Sequence, residues 1–337
     1  MIRINRVFWV FSISTVMVAS CGTSDMSNQE KDPLPSWNEG ETKSNIVKFV
    51  TDVTNENHSD FIPIEDRIAT FDNDGTLWSE QPVYFQLIFA MDRIKEMAVN
   101  HPEWDTLPPF QAVLQNDTNA IMASGMDGLA KIIMTTHAGM SSDEFESLVN
   151  TWIEDSMHPK YNKPYNELVY QPMLELLDYL RANEFKIFIV SGGGIEFMRA
   201  WVTEAYGIPS DQVIGSTITT EFVFDEGSTK IMRLPELDFI DDKEGKPVAI
   251  NRYIGRRPVF ASGNSDGDLQ MLQYTDGGEG RRFMLYLHHT DEVREYAYDR
   301  NSHIGKLDKG LDYAKEHNWT VIDMKKEWKI IYPFEKQ

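Results

Sequence analysis

One stretch of twelve residues, Arg67–Trp78 with the sequence RIATFDNDGTLW, constrains the fold more than any other part of the chain. Ile68–Phe71 is typical of a short buried strand, which stops at a run of turn formers, Asp72-Asn73-Asp74-Gly75. Two acids so close together repel each other, and a bound cation is the usual compensation. Strand ends at the mouth of a parallel sheet are where α/β proteins bind ligands. The stretch therefore predicts a functional site on an α/β fold.

The two acids suit different chemical roles. Asp72 stands at the strand end, where its position is well fixed, so its carboxylate could attack phosphorus and form an aspartyl-phosphate. Asp74 could protonate the leaving alcohol and then deprotonate the water that hydrolyses the intermediate. Mg²⁺ held by Asp72 and the loop would offset the charge between nucleophile and phosphate. A calcium-binding EF-hand loop is excluded, because it needs glycine at its sixth position and Gly75 is the fourth residue here.

The motif Asp72-Asn73-Asp74-Gly75-Thr76 closely resembles the first motif of the haloacid dehalogenase (HAD) superfamily, Asp-x-Asp-Gly-Thr. The second aspartate is similar to that of the phosphatase branch rather than the dehalogenases. This resemblance implies a Rossmann-like core and a phosphohydrolase close to the phosphoserine-phosphatase-like members.

Charge narrows the range of partners. The chain of 337 residues has 32 basic and 53 acidic side chains and a net charge of −21. Such an excess of negative charge repels nucleic acid, so we expect no nucleic-acid partner. A phosphate site must then depend on local lysine, backbone N–H groups and metal, and we expect a small phosphorylated metabolite as its ligand.

The N-terminus predicts a targeting segment. Arg3 and Arg6 precede a mostly apolar run, Val7–Val18, that is too short for a comfortable membrane span. The run ends in Val18-Ala19-Ser20-Cys21, which resembles a bacterial lipoprotein signal in which Cys21 is lipidated; a plain signal peptide or an anchor helix is the alternative. This predicts a lipid-anchored protein of the bacterial cell envelope, on the periplasmic or outer-membrane side. Cys21 is the only cysteine, so the mature domain has no internal disulfide and no catalytic thiol.

Domain boundaries follow from composition and periodicity. We predict a lipoprotein signal peptide over residues 1–20 and a polar tether over 21–40. The catalytic core comprises 41–82 and 165–337, where apolar strands alternate with helices as in an open, doubly wound, mostly parallel sheet. Residues 83–164 have helical patterning and are predicted to form a helical cap, inserted where the HAD superfamily places its C1 cap.

A second strand end predicts phosphate contacts. The apolar strand Phe185–Val190 stops at Ser191, followed by Gly192, Gly193 and Gly194. The hydroxyl of Ser191 can donate to a phosphate oxygen, and the N–H groups of Gly192 and Gly193 are predicted to lie at a helix start, where anions bind well. The alternative is a flexible glycine loop, and the pattern resembles the second HAD motif.

The third and fourth elements complete the resemblance. Lys246, which precedes an apolar helix-like segment, resembles the lysine of the third HAD motif, with Lys243 as the alternative. The run from Gly263 to Asp268 follows the strand Pro258–Ala261 and resembles the fourth motif, which supplies oxygen ligands for Mg²⁺. The motif usually has aspartate where this chain has Asn264, so the predicted metal ligands are Asp72, Asp74, Asn264 and Asp268, with Asp266 as a competing candidate.

Three functions remain open at this stage. The first is a Mg²⁺-dependent phosphatase that hydrolyses a small phosphate monoester. The second is a phosphotransferase or mutase that uses the same intermediate, and the third is a catalytically silent lipid-anchored binding protein. The presence of both Asp72 and Asp74 argues against the third. His288-His289, also at a strand end, is predicted to be structural because adjacent side chains on a strand point in different directions.

Overall fold

A mixed β-sheet forms the centre of the structure, a computed structural model that describes residues 32–336. Its strands are β1 (Ile68–Phe71), β2 (Lys186–Gly194), β3 (Val213–Asp225), β4 (Ser228–Phe239), β5 (Phe260–Gly263), β6 (Phe283–Thr290), β7 (Ala297–Tyr298) and β8 (Thr320–Asp323). The order is β4-β3-β2-β1-β5-β6-β7, and β8 also pairs with β6. Strands β3, β2, β1, β5, β6 and β8 run parallel, whereas β4 and β7 are antiparallel to their neighbours. The predicted α/β class with a mostly parallel sheet is confirmed.

Helices cover both faces of the sheet. The α-helices are α1 (Glu41–Thr54), α2 (Phe85–Met97), α3 (Phe110–Leu114), α4 (Thr118–Ala123), α5 (Gly125–His137), α6 (Ser142–Asp155), α7 (Gln171–Ala182), α8 (Ile195–Arg199), α9 (Val202–Tyr206), α10 (Gly245–Ala249), α11 (Leu269–Asp276), α12 (Lys309–Glu316) and α13 (Met324–Glu327). A π-helical turn follows α10 at Ile250–Ile254, and 3-10 turns lie at Ile64–Asp66, Ala98–Asn100, Pro102–Asp105, Tyr165–Glu167, Ser210–Gln212 and Pro333–Glu335.

The side-chain alternation of β2 shows why both faces are covered. Ile187 and Ile189 pack into one hydrophobic cluster with α1 and α7, whereas Phe188 and Val190 pack into another with α11 and α12. Successive side chains of a strand point to opposite faces, so a strand that is apolar at every position needs a helical layer on each side. This arrangement makes the sheet doubly wound and leaves its strand ends as the accessible edge.

The segment between β1 and β2 is largely helical, as the sequence predicts. Helices α2 to α5 share a hydrophobic cluster of their own that includes Leu87, Trp104 and Ile132. The last helix of the predicted cap, α6, packs differently: Phe145 and Trp152 belong to the main cluster of the core. The predicted cap of residues 83–164 is therefore only partly separate from the core, because aromatic side chains of α6, and Phe85 and Phe89 of α2, belong to the main cluster.

Residues 33–40, which lie in the predicted tether, pack against the domain instead of extending from it. Leu34 and Trp37 are fully buried, and the indole of Trp37 donates a 2.9 Å hydrogen bond to the carbonyl of Pro172. Two buried apolar side chains thus hold part of the segment that was predicted as a tether against the domain. The predicted signal peptide and Cys21 lie outside the described residues. Within residues 32–336, none of the helices combines the length and the hydrophobicity that a membrane span requires.

Candidate active site

The predicted site residues converge on one cavity at the strand-end edge of the sheet. β1 pairs with β2 on one side and with β5 on the other, all parallel, so the loops that follow these strands meet at one edge. The cavity has a volume of about 360 Å³. Seven of the predicted residues line it: Asp72, Asp74, Ser191, Gly192, Gly193, Lys246 and Asp268.

Lys246 joins two carboxylates at the base of the cavity. Its ammonium group lies 2.6 Å from Oδ1 of Asp72 and 2.7 Å from Oδ1 of Asp268, and it donates to the carbonyl of Val190 at 2.7 Å. Burial lowers the pKa of Lys246, but the carboxylates of Asp268 and Asp72 outweigh this and raise it. Lys246 therefore stays charged beside Asp72, as a lysine of the third motif must, whereas the alternative Lys243 is exposed.

Asp72 faces competing effects. Burial raises the pKa of its carboxyl, the neighbouring carboxylate of Asp268 raises it further, and Lys246 lowers it. Its backbone N–H donates to the carbonyl of Ser262 on β5, which fixes the carboxylate at the strand end. Asp72 is thus a well-positioned acid whose ionised form gains from any additional positive charge in the cavity.

Asp74 has the properties of a group that exchanges protons near neutral pH. Oδ1 accepts a 2.9 Å hydrogen bond from the indole of Trp78, whose ring is fully buried. Burial raises the pKa of Asp74 from 3.8 to about 6. Both protonation states are accessible at that value, which is what acid and base catalysis by the same carboxyl requires.

The Ser191 loop differs from its prediction. Ser191 is buried at the cavity, but β2 continues to Gly194 and the helix that follows, α8, has only five residues. The N–H of Gly193 donates to the hydroxyl oxygen of Ser191 at 3.1 Å, and the N–H of Gly194 donates to Oε1 of Gln86 on α2 at 2.8 Å. The expected helix N-terminus is therefore absent at Gly192 and Gly193, because the bulged strand itself carries the glycines past the cavity.

The two acids of the loop after β5 accept hydrogen bonds from backbone N–H groups, which the sequence motif does not predict. Oδ2 of Asp268 accepts hydrogen bonds from the backbone N–H groups of Asn264 and Ser265, each at 3.0 Å, and Oδ1 faces Lys246. Oδ1 of Asp266 accepts from the N–H groups of Asp308 and Gly310, at 2.9 and 2.8 Å. Both acids thus hold backbone segments in place, and Asp266 is not among the residues that line the cavity.

Several cavity residues were missed at the sequence level. Glu80 is 1% exposed and lines the cavity, as does Asp242, which follows the buried Asp241. The acidic pair just before Lys246 could have been noticed. No local sequence pattern marks Glu80 as a site residue. It becomes part of the cavity only because the fold places it there.

The inserted helices form the outer wall of the cavity. Tyr84, Leu87, Met126, Leu129 and Ile133 line it opposite the strand ends. The helical segment therefore lies over the strand-end edge, as predicted for a lid that encloses a site. Its side of the cavity is mostly apolar, whereas the sheet side is charged.

His289 is structural, as predicted, and not a metal ligand. Its ring lies 2.7 Å from the carbonyl of Gly75 through Nε2 and 3.2 Å from the buried carboxylate of Glu295 through Nδ1. Both ring nitrogens thus have hydrogen-bonding partners, and His289 holds the backbone of the loop after β1 at Gly75.

The comparison with known families decides the assignment. The model of haloacid dehalogenase-like hydrolases matches residues 69–273, which include all four motifs. The chain belongs to the haloacid dehalogenase-like hydrolase family. The predicted superfamily and the prediction of a hydrolase are therefore confirmed. No curated protein matches the sequence.

Solved structures with TM-scores of 0.50 or more share the fold of this HAD hydrolase at low identity. A conserved protein of unknown function from Anaerococcus prevotii DSM 20548 is 18% identical, with 86% of this chain and 94% of that chain covered and a TM-score of 0.52. A protein of unknown function from Bordetella pertussis Tohama I is 15% identical, with coverages of 77% and 98% and a TM-score of 0.50. A phosphoserine phosphohydrolase-like protein from Francisella tularensis subsp. tularensis SCHU S4 is 16% identical, with coverages of 66% and 87% and a TM-score of 0.36.

The donor set of the cavity fits the Mg²⁺ that the family implies. Five carboxylates, from Asp72, Asp74, Glu80, Asp242 and Asp268, line the cavity with Lys246 as its one basic side chain among the described residues. Carboxylate oxygens are the ligands that Mg²⁺ prefers, and buried carboxylates are costly unless paired or bound to metal. A separate group, Asp52, His58 and Asp60, precedes β1 and takes no part in this cavity.

Proposed function

We propose that this HAD hydrolase is a Mg²⁺-dependent phosphatase that hydrolyses a small phosphate monoester through an aspartyl-phosphate at Asp72. The observation that carries the proposal is the pairing of Asp72 and Asp74 in one cavity, with Lys246 at 2.6 Å from Asp72 and the pKa of Asp74 raised to about 6. Burial raises the pKa of Asp72, and Lys246 opposes this by favouring the ionised form that attacks phosphorus, while Asp74 is able to exchange a proton.

In the first step, a carboxylate oxygen of Asp72 attacks phosphorus and the phosphorus–oxygen ester bond breaks. Asp74 in its acid form donates its proton to the departing alkoxide, which leaves as an alcohol. Lys246 stays on Asp72 and offsets negative charge as the phosphoryl group approaches. Ser191, Gly192 and Gly193 line the side of the cavity where the phosphate oxygens would lie.

In the second step, Asp74, now a carboxylate, takes a proton from water. The water attacks phosphorus, the acyl-phosphate bond breaks, and inorganic phosphate leaves as Asp72 is regenerated. Bound Mg²⁺ would supply positive charge that stabilises the phosphoryl oxygens, with Asp72 and the loop after it among its ligands. The apolar wall formed by Leu87, Leu129 and Ile133 limits the access of water to the site.

A panel of phosphate monoesters tests this function. We expect release of inorganic phosphate in the presence of Mg²⁺, its loss on addition of EDTA, and its absence in Asp72→Asn. Transfer of the phosphoryl group to an added sugar or alcohol, in preference to water, would identify a phosphotransferase instead. A wild-type enzyme that hydrolyses no member of the panel with or without Mg²⁺ would contradict the proposal.

We further propose that the hydrolase acts in the bacterial cell envelope, anchored through a lipid on Cys21. The support is the sequence from Arg3 to Cys21, with its basic start, apolar run and small-residue site. Mass spectrometry of the native protein should give a lipidated N-terminus at Cys21. An unmodified residue upstream of Cys21 at the mature N-terminus would contradict it.

A further inference from the structure

Asn264 stands where the fourth HAD motif usually has an acid, and the structure shows what the amide does there. Its Oδ1 accepts a 3.1 Å hydrogen bond from the hydroxyl of Thr76, and its Nδ2 donates a 2.7 Å hydrogen bond to Oε1 of Glu80. Asn264 is 2% exposed and is not among the residues that line the cavity. The amide is thus committed to two neighbours, and one of them is a carboxylate that an aspartate at position 264 would repel.

Glu80 reaches the cavity in its place. The carboxylate is buried, lines the cavity beside Asp72 and Asp74, and accepts a 2.8 Å hydrogen bond from the hydroxyl of Tyr298. Both of its donors, Asn264 and Tyr298, bond to Oε1. Within residues 32–336 the structure shows no hydrogen bond to Oε2, so one oxygen is oriented by protein donors while the other is left for a different partner.

The backbone around Glu80 is shaped to admit a carboxylate. Gly75 and Gly305 both have positive φ, at +71° and +63°, and a Cβ on either residue would overlap Oε1 of Glu80. A side chain at position 75 would also overlap the amide of Asn264. Two glycines from distant parts of the chain thus leave a notch that the Glu80 carboxylate fills, directly beside the loop of Asp72 and Asp74.

We propose that Glu80 is a ligand of the divalent cation of this site and supplies the negative charge that Asn264 does not, with Asn264 and Tyr298 as its positioning residues. The proposal takes from the proposed function that the cavity binds Mg²⁺. The negative charge that the fourth motif usually supplies after β5 is then supplied by Glu80 in the loop after β1. The amide of Asn264 orients the Glu80 carboxylate. Carboxylate oxygens from Asp72 and Glu80 form a hard donor set that suits Mg²⁺ and its spectroscopic substitute Mn²⁺.

Binding of Mn²⁺ to the chelator-treated protein tests the proposal without any enzymatic assay. Electron paramagnetic resonance of free Mn²⁺ gives the Kd of wild type, Glu80→Gln and the matched control Glu175→Gln. The amide oxygen in Glu80→Gln can still accept from Asn264 and Tyr298, so the fold is retained. Glu175 is also buried but bonds to Ser36 and Gln171, away from the cavity. We expect Kd to rise by about 10- to 100-fold or more in Glu80→Gln and to stay at the wild-type value in Glu175→Gln.

Thermal unfolding gives an independent measurement on the same proteins. Mn²⁺ should raise the Tm of wild type and of Glu175→Gln and should raise that of Glu80→Gln much less, because stabilisation follows the bound fraction. Tyr298→Phe, which keeps the ring against His289 and removes only the hydroxyl, should weaken Mn²⁺ binding by about 10-fold. If Tyr298→Phe bound Mn²⁺ as tightly as wild type, the proposed positioning role of Tyr298 would be contradicted.

The outcomes separate this proposal from the proposed function. Equal Mn²⁺ affinity of wild type and Glu80→Gln, or no saturable Mn²⁺ binding by wild type, would overturn the role of Glu80 whether or not the wild type hydrolyses phosphate esters. Loss of Mn²⁺ binding in Glu80→Gln alone would support it, even if the ester panel identified no substrate.

Discussion

The loops after β1 and β5 are similar in sequence but differ in what their acidic side chains contact. Each leaves a short buried strand at the same edge of the sheet, and each carries two acids close together. In the first loop, Asp72 and Asp74 face the cavity, and both have a raised pKa because they are buried. In the second loop, Asp266 and Asp268 accept hydrogen bonds from backbone N–H groups, and Asp268 also reaches the cavity, where it pairs with Lys246.

The number of backbone donors accounts for this difference. An acid that accepts several N–H bonds is stabilised in its charged form and is committed to holding the chain. The side chain of Asp74 accepts a hydrogen bond from the indole N–H of Trp78, and that of Asp72 accepts one from Lys246. Such carboxylates destabilise the fold and are available for chemistry, as is typical of functional sites.

The largest expected difference between the loops is in turnover. Asp72→Asn removes the nucleophile, because a neutral amide does not form the acyl-phosphate. We expect the rate of ester hydrolysis to fall on the order of 10⁴-fold or more, as for other nucleophile removals. Steady-state assays with p-nitrophenyl phosphate measure it.

Asp266→Asn is the matched control in the other loop, since it changes the same functional group outside the cavity. It should keep a rate close to that of wild type. A loss in Asp266→Asn as large as that in Asp72→Asn would break the comparison.

Asp74→Asn should have the next largest effect. The nucleophile remains, but no group at position 74 can give or take a proton, so turnover should fall by about 10²–10⁴-fold. The loss should be greater for an alkyl phosphate than for p-nitrophenyl phosphate, whose leaving group needs little protonation. Comparison of the two substrates measures this, and equal losses would argue against Asp74 as the acid.

Stability should change in opposite directions in the two loops. The folded carboxyl of Asp74 titrates near pH 6 and the unfolded one near 3.8. Its contribution to the free energy of unfolding is therefore present below pH 3.8 and is lost as the pH rises through 6. In EDTA at pH 7.5, Asp74→Asn should stabilise the protein by at most about 3 kcal/mol, with a smaller gain at pH 4.

Asp268→Asn should instead lower the free energy of unfolding, by about 1–3 kcal/mol, because it removes a charged acceptor from two N–H groups and leaves Lys246 with less compensation. Chemical denaturation of both variants checks the pair of predictions. Changes of the same sign in Asp74→Asn and Asp268→Asn would contradict the proposed division between the loops.

The smallest effect is expected for Asp266→Ala. It removes the acceptor of the N–H groups of Asp308 and Gly310, at the start of α12, and should lower the free energy of unfolding by about 1–2 kcal/mol. The Mg²⁺-dependent rate should be almost unchanged. If Asp266→Ala lost activity without losing stability, the result would support Asp266 as a metal ligand.

The sequence was most informative where local pattern and position agree. Apolar runs that end in polar turns predicted β1, β2 and β5, and parallel strands then bring Asp72, Ser191 and Asp268 to one edge. The residues Ser141 to Glu144 have the local pattern of a helix start, and Ser141 forms a capping box with Glu144 at the beginning of α6. These features depend on neighbouring residues in the chain, which a single sequence displays.

Long-range partnerships were not predictable in the same way. Glu80 becomes part of the site only because Gly305, Tyr298 and Asn264, all more than 180 residues away, surround it. The burial of Trp37 likewise depends on Trp328, at the other end of the chain, with 5.9 Å between their ring centres. Such contacts require the fold itself, and no local pattern around Glu80 or Trp37 indicates them.

The central claim is that the loop after β1 carries the chemistry, with Asp72 as the nucleophile. Rapid quench with a phosphate ester labelled in its phosphoryl group, followed by peptide mapping, tests it most directly in wild type, Asp72→Asn and Asp74→Asn. The account predicts label on Asp72, accumulation of label in Asp74→Asn because water activation fails, and no label in Asp72→Asn. Label at wild-type levels in Asp72→Asn, or label mapped to Ser191, would contradict it.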